Sequence, residues 1–472
     1  MYVNFNVPET MFDLSLFSTR CKCLALLIVF GISSPSVAQQ LDYAEGSHQE
    51  TVVVKTQQTD SSESEEASEE TTETPNPLAN LKITGQIRHR SEMHERFDVG
   101  ASDIPRFHLL RTRLNVSFQP VEDIVAFVQI QDSRLFGGQD PNLARGTLDG
   151  SADALDFHQA FFKVSDLFDT NFSLKVGRQE LSYGNQRLIG AVGWHNVGRT
   201  FDAAVLTYED RHRSIHVFTS QLVGTTALPT SQNLHGIYST FHYLWTHNIE
   251  VFALIDNNRL ELTSGPDTGN DRLNRYTFGG TLFGKQGSAD YRIELANQRG
   301  DIALTDSTAR ASINGYLFSS ELGFKLFAPA NLRSSVIYTR LSGDSTPGDN
   351  TVRSFNTLFA TNHKFYGFLD YYPRSYNTNG LQNFALRLSG NAGERLKVNA
   401  DFHYFRLVEP APLGNDMAST LGKEVDLTFA LKYNSNFSIG SGVSFYMADQ
   451  LMENIIGDSS AWWFYLTTQV NF

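Results

Sequence analysis

From Leu81 to the last residue, apolar and polar side chains alternate with a period of two, and nothing after residue 40 approaches the run of about 18 apolar residues that a membrane helix needs. The clearest stretch sets Leu110, Leu114, Val116 and Phe118 against Arg111, Arg113, Asn115 and Ser117. After Pro120 the pattern resumes, with Ile124, Ala126, Val128 and Ile130 opposed to Gln129, Gln131 and Ser133. A helix would scatter these residues around its whole surface, whereas a strand sorts them onto two faces. A chain patterned this way crosses a membrane only as a closed barrel, because only closure pairs every backbone group without helices.

The alternation divides into about 18 segments of roughly 10 to 13 residues, the length of tilted membrane strands plus their turns. They begin near Leu81, Phe107, Glu122, Leu155, Asn171, Arg199, Arg213, Gly236, Asn248, Arg275, Ser288, Gly315, Asn331, Gly380, Arg395, Lys423, Asn436 and Trp462. Links after the even segments are short, as at Gln119 to Val121, Asp210 to His212 and Lys285 to Gly287. Those after the odd segments are long, as at Arg134 to Ala154, Ser182 to Gly198, Asn258 to Asn274, Gly343 to Asn379 and Val408 to Gly422. A soluble sandwich has no reason to sort its loops by parity. The expectation is therefore an all-β fold, a closed antiparallel transmembrane β-barrel of 18 strands with 16 as the alternative. Short turns would face the periplasm and long loops the exterior.

The first 38 residues have signal-peptide anatomy. Arg20 and Lys22 precede an apolar core from Cys23 to Phe30, Ser36 and Ala38 frame a cut after Ala38, and Met11 is an alternative start. Both cysteines, Cys21 and Cys23, leave with the peptide, so the mature chain carries no disulfide or thiolate chemistry. Residues 39–78 form an acidic linker that culminates between Asp60 and Glu73 and lacks the apolar residues needed to fold. That linker holds most of the formal charge of −13. The barrel is expected to occupy residues 79–472 and to end on one face of Trp462, Phe464, Leu466, Thr468, Val470 and Phe472. A final aromatic such as Phe472 resembles the signal through which the barrel-assembly machinery recognises its substrates.

Lipid rejects charge at mid-membrane, so the apolar set faces outward and the charged set inward. Arg88 and Arg90 share parity with Lys82, Thr84 and Gln86, opposite Leu81, Ile83 and Ile87. With Arg111 and Arg113 they would form a positive ladder in a wet, polar lumen. Arg111 and Arg113 are the strongest candidates for selectivity, and glutamine at both is expected to leave the barrel assembled.

Three stretches depart from plain strand: Gly177 to Gly190 with Trp194-His195-Asn196 and Gly198 to Asp202, then Phe355 to Phe359 with Asn362 to Gly367 and Asp370, then Gly422 to Leu427. They resemble the alginate-export family of outer-membrane channels. The resemblance implies a passive 18-strand channel for a polyanionic polysaccharide, with Arg178, Arg187, Arg199 and Asp202 as lumen or constriction groups. Parity with Phe172, Leu174 and Val176 sends Arg178 outward unless Gly177 marks a bulge. The other reading of these arginines and acids is mutual pairing that braces the wall.

The 13 histidines are scattered, and the common zinc, nucleophile and phosphate-loop motifs are missing, so an enzyme is not expected. His363 reads as structural. The Asp-rich stretch from Gly343 to Asn350 reads as a turn rather than a calcium loop, and neither metal nor cofactor is expected. Expected partners are an anionic saccharide, the outer-membrane bilayer and the assembly machinery, with no nucleic acid, around a monomer. The competing functions are a porin for small organic anions and, at greater distance, a barrel enzyme.

Overall fold

The computed structural model describes residues 80–95, 106–136, 155–222, 232–244, 247–258, 273–303, 309–373, 377–457 and 459–472, all within the compact unit Tyr43–Phe472. The signal peptide, the acidic linker and parts of several long links expected from the sequence lie outside the described residues. The strands are β1 (Leu81–Glu95), β2 (Arg106–Val121), β3 (Ile124–Phe136), β4 (Asp156–Val164), β5 (Phe172–Gln179) and β6 (Phe201–Glu209). Next come β7 (Arg213–Leu222), β8 (Gln232–Leu244), β9 (His247–Asn258), β10 (Leu273–Gln286), β11 (Ala289–Ala303), β12 (Arg310–Phe327) and β13 (Leu332–Leu341). The last are β14 (Thr351–Val352), β15 (Leu381–Ala392), β16 (Leu396–Leu413), β17 (Asp416–Lys432), β18 (Phe437–Ala448) and β19 (Ser460–Asn471).

β14 is a two-residue strip lying parallel to β12, and the other 18 strands make the barrel wall, each antiparallel to its neighbours. Closure is direct: β1 pairs with β19 from Gln86 opposite Asn471 to Glu95 opposite Trp462. The seam continues to the C-terminus, where Gly85 N donates to Phe472 O at 2.7 Å and Phe472 N to Gly85 O at 3.0 Å. Every backbone group along the seam thus finds a partner, as hydrocarbon requires.

Exposure follows the alternation. Ile83 and Ile87 are 57% and 42% exposed, while Arg90 between strand neighbours on the other face is 1% exposed. Val336, Leu295, Phe278 and Leu466 continue the outward apolar belt around the wall. One link departs from expectation. Instead of a long loop from Val408 to Gly422, β16 and β17 run on past the belt and meet in a hairpin between Leu413 and Asp416. Beyond the membrane a strand pair needs no apolar outer face, so Pro410, Pro412 and the polar residues around them interrupt the pattern without ending the ladder. The register shift between Arg406 and Ala411 absorbs Pro410, and Pro412 pairs opposite Met417 beyond it.

The interior also differs from a uniformly polar channel. Its outer half holds a hydrophobic core, in which Phe107, Leu109, Phe201, Phe218, Leu234, Leu254, Phe405, Leu407 and Trp463 from the wall are all buried. Alternation reports which face a residue takes and is silent about what fills the space it faces.

The seam yields a test. A Cβ at Gly85 would run into the Phe472 ring and lie 3.0 Å from the Arg113 carbonyl, and overpacking of this kind costs about 1–3 kcal/mol. Wild-type protein should migrate faster unboiled than boiled. Gly85→Val should do so only up to a lower temperature, whereas unchanged heat resistance would show that the seam tolerates the added volume.

Candidate functional site

Two links turn into the barrel, residues 180–200 between β5 and β6 and, from the link between β13 and β15, residues 354–373. Gly184 and Gly198 adopt φ of 56° and 87°, conformations that side-chain-bearing residues rarely take. At Gly198 a Cβ would also crowd Arg113 Nη2 and His158 Cε1, both at 3.1 Å. The two loops are joined through their backbones. Ile189 and Phe359 form a parallel bridge, with Gly190 N donating to Phe359 O and Phe359 N to Leu188 O, both at 2.9 Å. Thr361 N donates to Gln186 O at 3.0 Å. Leu181, Leu188, Phe355, Phe359, Tyr366, Leu369 and Tyr372 carry the apolar surface of the loops into the core described above. Burial of these large side chains offsets the entropy of ordering the loops.

A buried loop must still satisfy its carbonyls, and the arginines of β1 and β2 do so. Arg88 Nη1 donates to Gly193 O at 2.9 Å. Arg111 Nη1 donates to Gly193 O and His195 O, both at 3.1 Å. Arg90 Nη1 donates to Trp194 O at 2.6 Å while its guanidinium lies 4.1 Å above the Trp194 ring and pairs with Glu92 at 2.6 Å. Arg113 donates to Gln131 Oε1 at 2.6 Å and to Glu180 and Val197 O, both at 3.4 Å. All four face inward, as the alternation places them. The lumen around them is not wet, however: Arg111 and Arg113 are 4% and 8% exposed. Glutamine at both would remove donors from buried loop carbonyls, so the substitution acts on the inward loop as well as on charge.

The residues carried over by resemblance divide. Arg187 enters the interior on its loop, donating to Glu294 at 3.0 Å and Tyr366 Oη at 3.5 Å with the Phe365 ring 4.1 Å away. Arg199 holds the two loops together, donating to Phe359 O, to Gly190 O at 3.3 Å and to Ala360 O at 3.4 Å. Burial pulls its pKa down to about 10, which leaves it a cation at neutral pH. Arg178 and Asp202 are not lumen groups. β5 pairs in unbroken register through Gly177, so Arg178 keeps the outward parity of Phe172 and pairs there with Asp202 at 2.9 Å. His363 is wedged between Trp194 and Phe368, at centroid distances of 5.0 and 4.7 Å, and bonds both Asp370 oxygens at 3.0 Å. In the Asp-rich stretch, Arg353 occupies the carboxylates, 3.2 Å from Asp344 and 2.7 Å from Asp349.

The inward charges that remain accessible lie nearer the short turns. Arg292 on β11 pairs with Glu250 on β9 at 2.7 Å. Arg333 on β13 meets Asp290 at 2.9 Å and Glu321 at 2.8 Å, and Arg387 on β15 meets Asp401 on β16 at 2.7 Å. A cavity of about 470 Å³ opens among Asn248, Phe283, Lys285, Asp290, Arg292, Glu321 and Arg333, a volume within the usual range for small-ligand sites. Sequence reading passed over these arginines because each is the one inward-facing arginine of its strand among the described residues. The signal was present all the same, since Arg292 alternates with outward Ile293 and Arg387 with outward Leu386.

Comparison with known proteins places this geometry. The family model described as Alginate export matches residues 79–448. No curated protein matches the chain. Among solved structures, Acinetobacter baumannii OccAB4 superposes with a TM-score of 0.57 at 10% identity, covering 84% of this chain and 100% of the other. A BenF-like porin from Pseudomonas fluorescens Pf-5 gives 0.55 at 11% identity, with 84% and 100% covered. Pseudomonas aeruginosa OccK11 gives 0.52 at 12%, with 83% and 96% covered. At these identities the likeness is one of fold.

Arg90 tests how the loops are held. Replacing it with methionine strips a buried Glu92 of its cationic partner and leaves it the Trp463 indole alone, a change that typically costs about 3–5 kcal/mol. The barrel should still assemble by heat-modifiable migration, while limited proteolysis should newly cut within residues 180–200. Unchanged protection of that segment would show that packing alone keeps it inside.

Proposed function

The chain belongs to the alginate-export family of outer-membrane barrels, and from that premise we propose that it passes anionic saccharides, oligouronates above all, through the barrel without energy coupling. The observation that carries the substrate class is the set of accessible cations at Arg292, Arg333 and Lys285 around the cavity on the short-turn side, with the inward Arg387 on a neighbouring strand. Each arginine is already bound to a carboxylate of the wall. An incoming uronate offers the same ligand, so it can exchange with Asp290 or Glu321 on the Arg333 fork, and bidentate geometry makes the exchange selective for carboxylates. Water in the cavity keeps each contact weak enough to release, which transport requires. The two inward loops would narrow the remaining passage and favour an extended chain over a bulky solute.

A porin for small organic anions is the second reading, favoured by the cavity's modest volume, which accommodates a single small carboxylate as well as a sugar ring. Either way the function is that of an outer-membrane channel.

In planar bilayers the protein should show open steps with anion preference. Arg292→Gln with Arg333→Gln should reduce that preference at low salt. The difference should shrink as ionic strength rises, since the Debye length is about 10 Å at 0.1 M and 3 Å at 1 M. Uronate oligomers should block or permeate at lower concentrations than neutral oligosaccharides of equal length. Equal behaviour of the two, with small carboxylates preferred over both, would establish the second reading.

A further inference from the structure

The outer surface carries a charge asymmetry that transport does not use. On the β3 to β6 side, outward arginines are neutralised by outward acids: Arg134 by Asp132 at 2.8 Å, and Arg178 by Asp202 at 2.9 Å. On the β11 to β17 side, Arg299, Arg340, Arg406 and Lys423 have no carboxylate partner among the described residues. Each caps an outward apolar run at its long-loop end. Arg299 follows Ile293 and Leu295, and Arg340 follows Val336 and Tyr338. Arg406 follows Phe402 and Tyr404, and Lys423 stands above Val425 and Leu427.

Their hydrogen bonds use little of their capacity. Arg340 Nε donates to Tyr316 Oη at 2.8 Å and Arg406 Nη2 to Ser419 Oγ at 3.0 Å. Arg299 Nη1 donates to the Gln298 carbonyl at 2.9 Å, while Arg406 Nε is buried without a partner. Register puts Arg340 opposite Gln382 and Gln382 opposite Arg406. The two arginines therefore leave the wall two strands, about 10 Å, apart. Nearby, Arg310 is already paired with Asp301.

We propose that this face is a docking surface for a phosphate-bearing glycolipid of the outer leaflet. Its acyl chains would lie on the apolar belt below, and its sugar phosphates would bind Arg340 and Arg406, with Arg299 and Lys423 flanking them. Unpaired cations at a lipid boundary attract anionic headgroups, and guanidinium binds phosphate through paired donors. Two cations separated by about two strand spacings suit a headgroup with two separated phosphates better than a lipid with one.

The test uses the full barrel, delipidated in neutral detergent, with lipid A carrying two phosphates, the same lipid dephosphorylated, and phosphatidylglycerol as probes, read by native mass spectrometry. The two-phosphate form should be retained at least tenfold more strongly than either of the others. Arg340→Gln with Arg406→Gln should lose about tenfold in retention while still migrating as a folded barrel, and lysine at both should restore part of it. The matched pair Arg134→Gln with Arg178→Gln on the opposite side should change retention less than twofold. Equal retention of the phosphorylated and dephosphorylated lipids by the wild type would overturn the proposal. So would an equal loss from the two double variants, or phosphatidylglycerol binding as strongly as the two-phosphate form.

Discussion

A peptide group removed from water must find another partner, and this requirement organises the molecule on both sides of its wall. In the lipid it forces closure, down to the bonds between Gly85 and Phe472 that complete the seam. Inside, it recruits Arg88, Arg90, Arg111 and Arg113 to the carbonyls of residues 193–197. Those arginines are on the inward face because lipid excludes charge. They are buried there because a loop with carbonyls to satisfy has folded against them.

This arrangement divides the lumen by height. Toward the long loops, aromatic and aliphatic side chains of wall and loops form a core much like that of a soluble protein, and the buried charges within it serve as braces. Toward the short turns, Arg292 and Arg333 keep partners they can exchange, in a cavity open to water. Similar residue types thus perform two tasks, and the difference lies in what packs over them. A guanidinium sealed beneath a loop cannot meet a solute, whereas one beside an aqueous cavity can trade its carboxylate for another.

Much of the fold was legible in the sequence. Alternation located the strands, and Leu81 and Arg213 begin strands where the pattern says they should. It also gave the correct facing for Arg111, while for Arg178 the parity of Phe172 pointed outward against the lumen placement that the resemblance implied. It failed at Lys423, which lies within β17 rather than at its start, because the strand continues outside the membrane, where no apolar face is demanded. The site was less legible. Nothing in the spacing of Arg88, Arg90, Arg111 and Arg113 reports a loop folded over them, since that depends on contacts between residues a hundred positions apart. Phe355, Phe359, Tyr366 and Tyr372 were the available hint, as a link so rich in large apolar side chains is unlike a solvated loop.

The bridge between Ile189 and Phe359, reinforced by Arg199, makes the two inward loops a single crossbeam although they arise from distant parts of the chain. Neither can drift in sequence alone without loosening its counterpart. Change in the bore of such a channel is therefore constrained to be concerted, and residues 180–200 and 354–373 constitute one heritable module carried on a wall that can vary more freely around it.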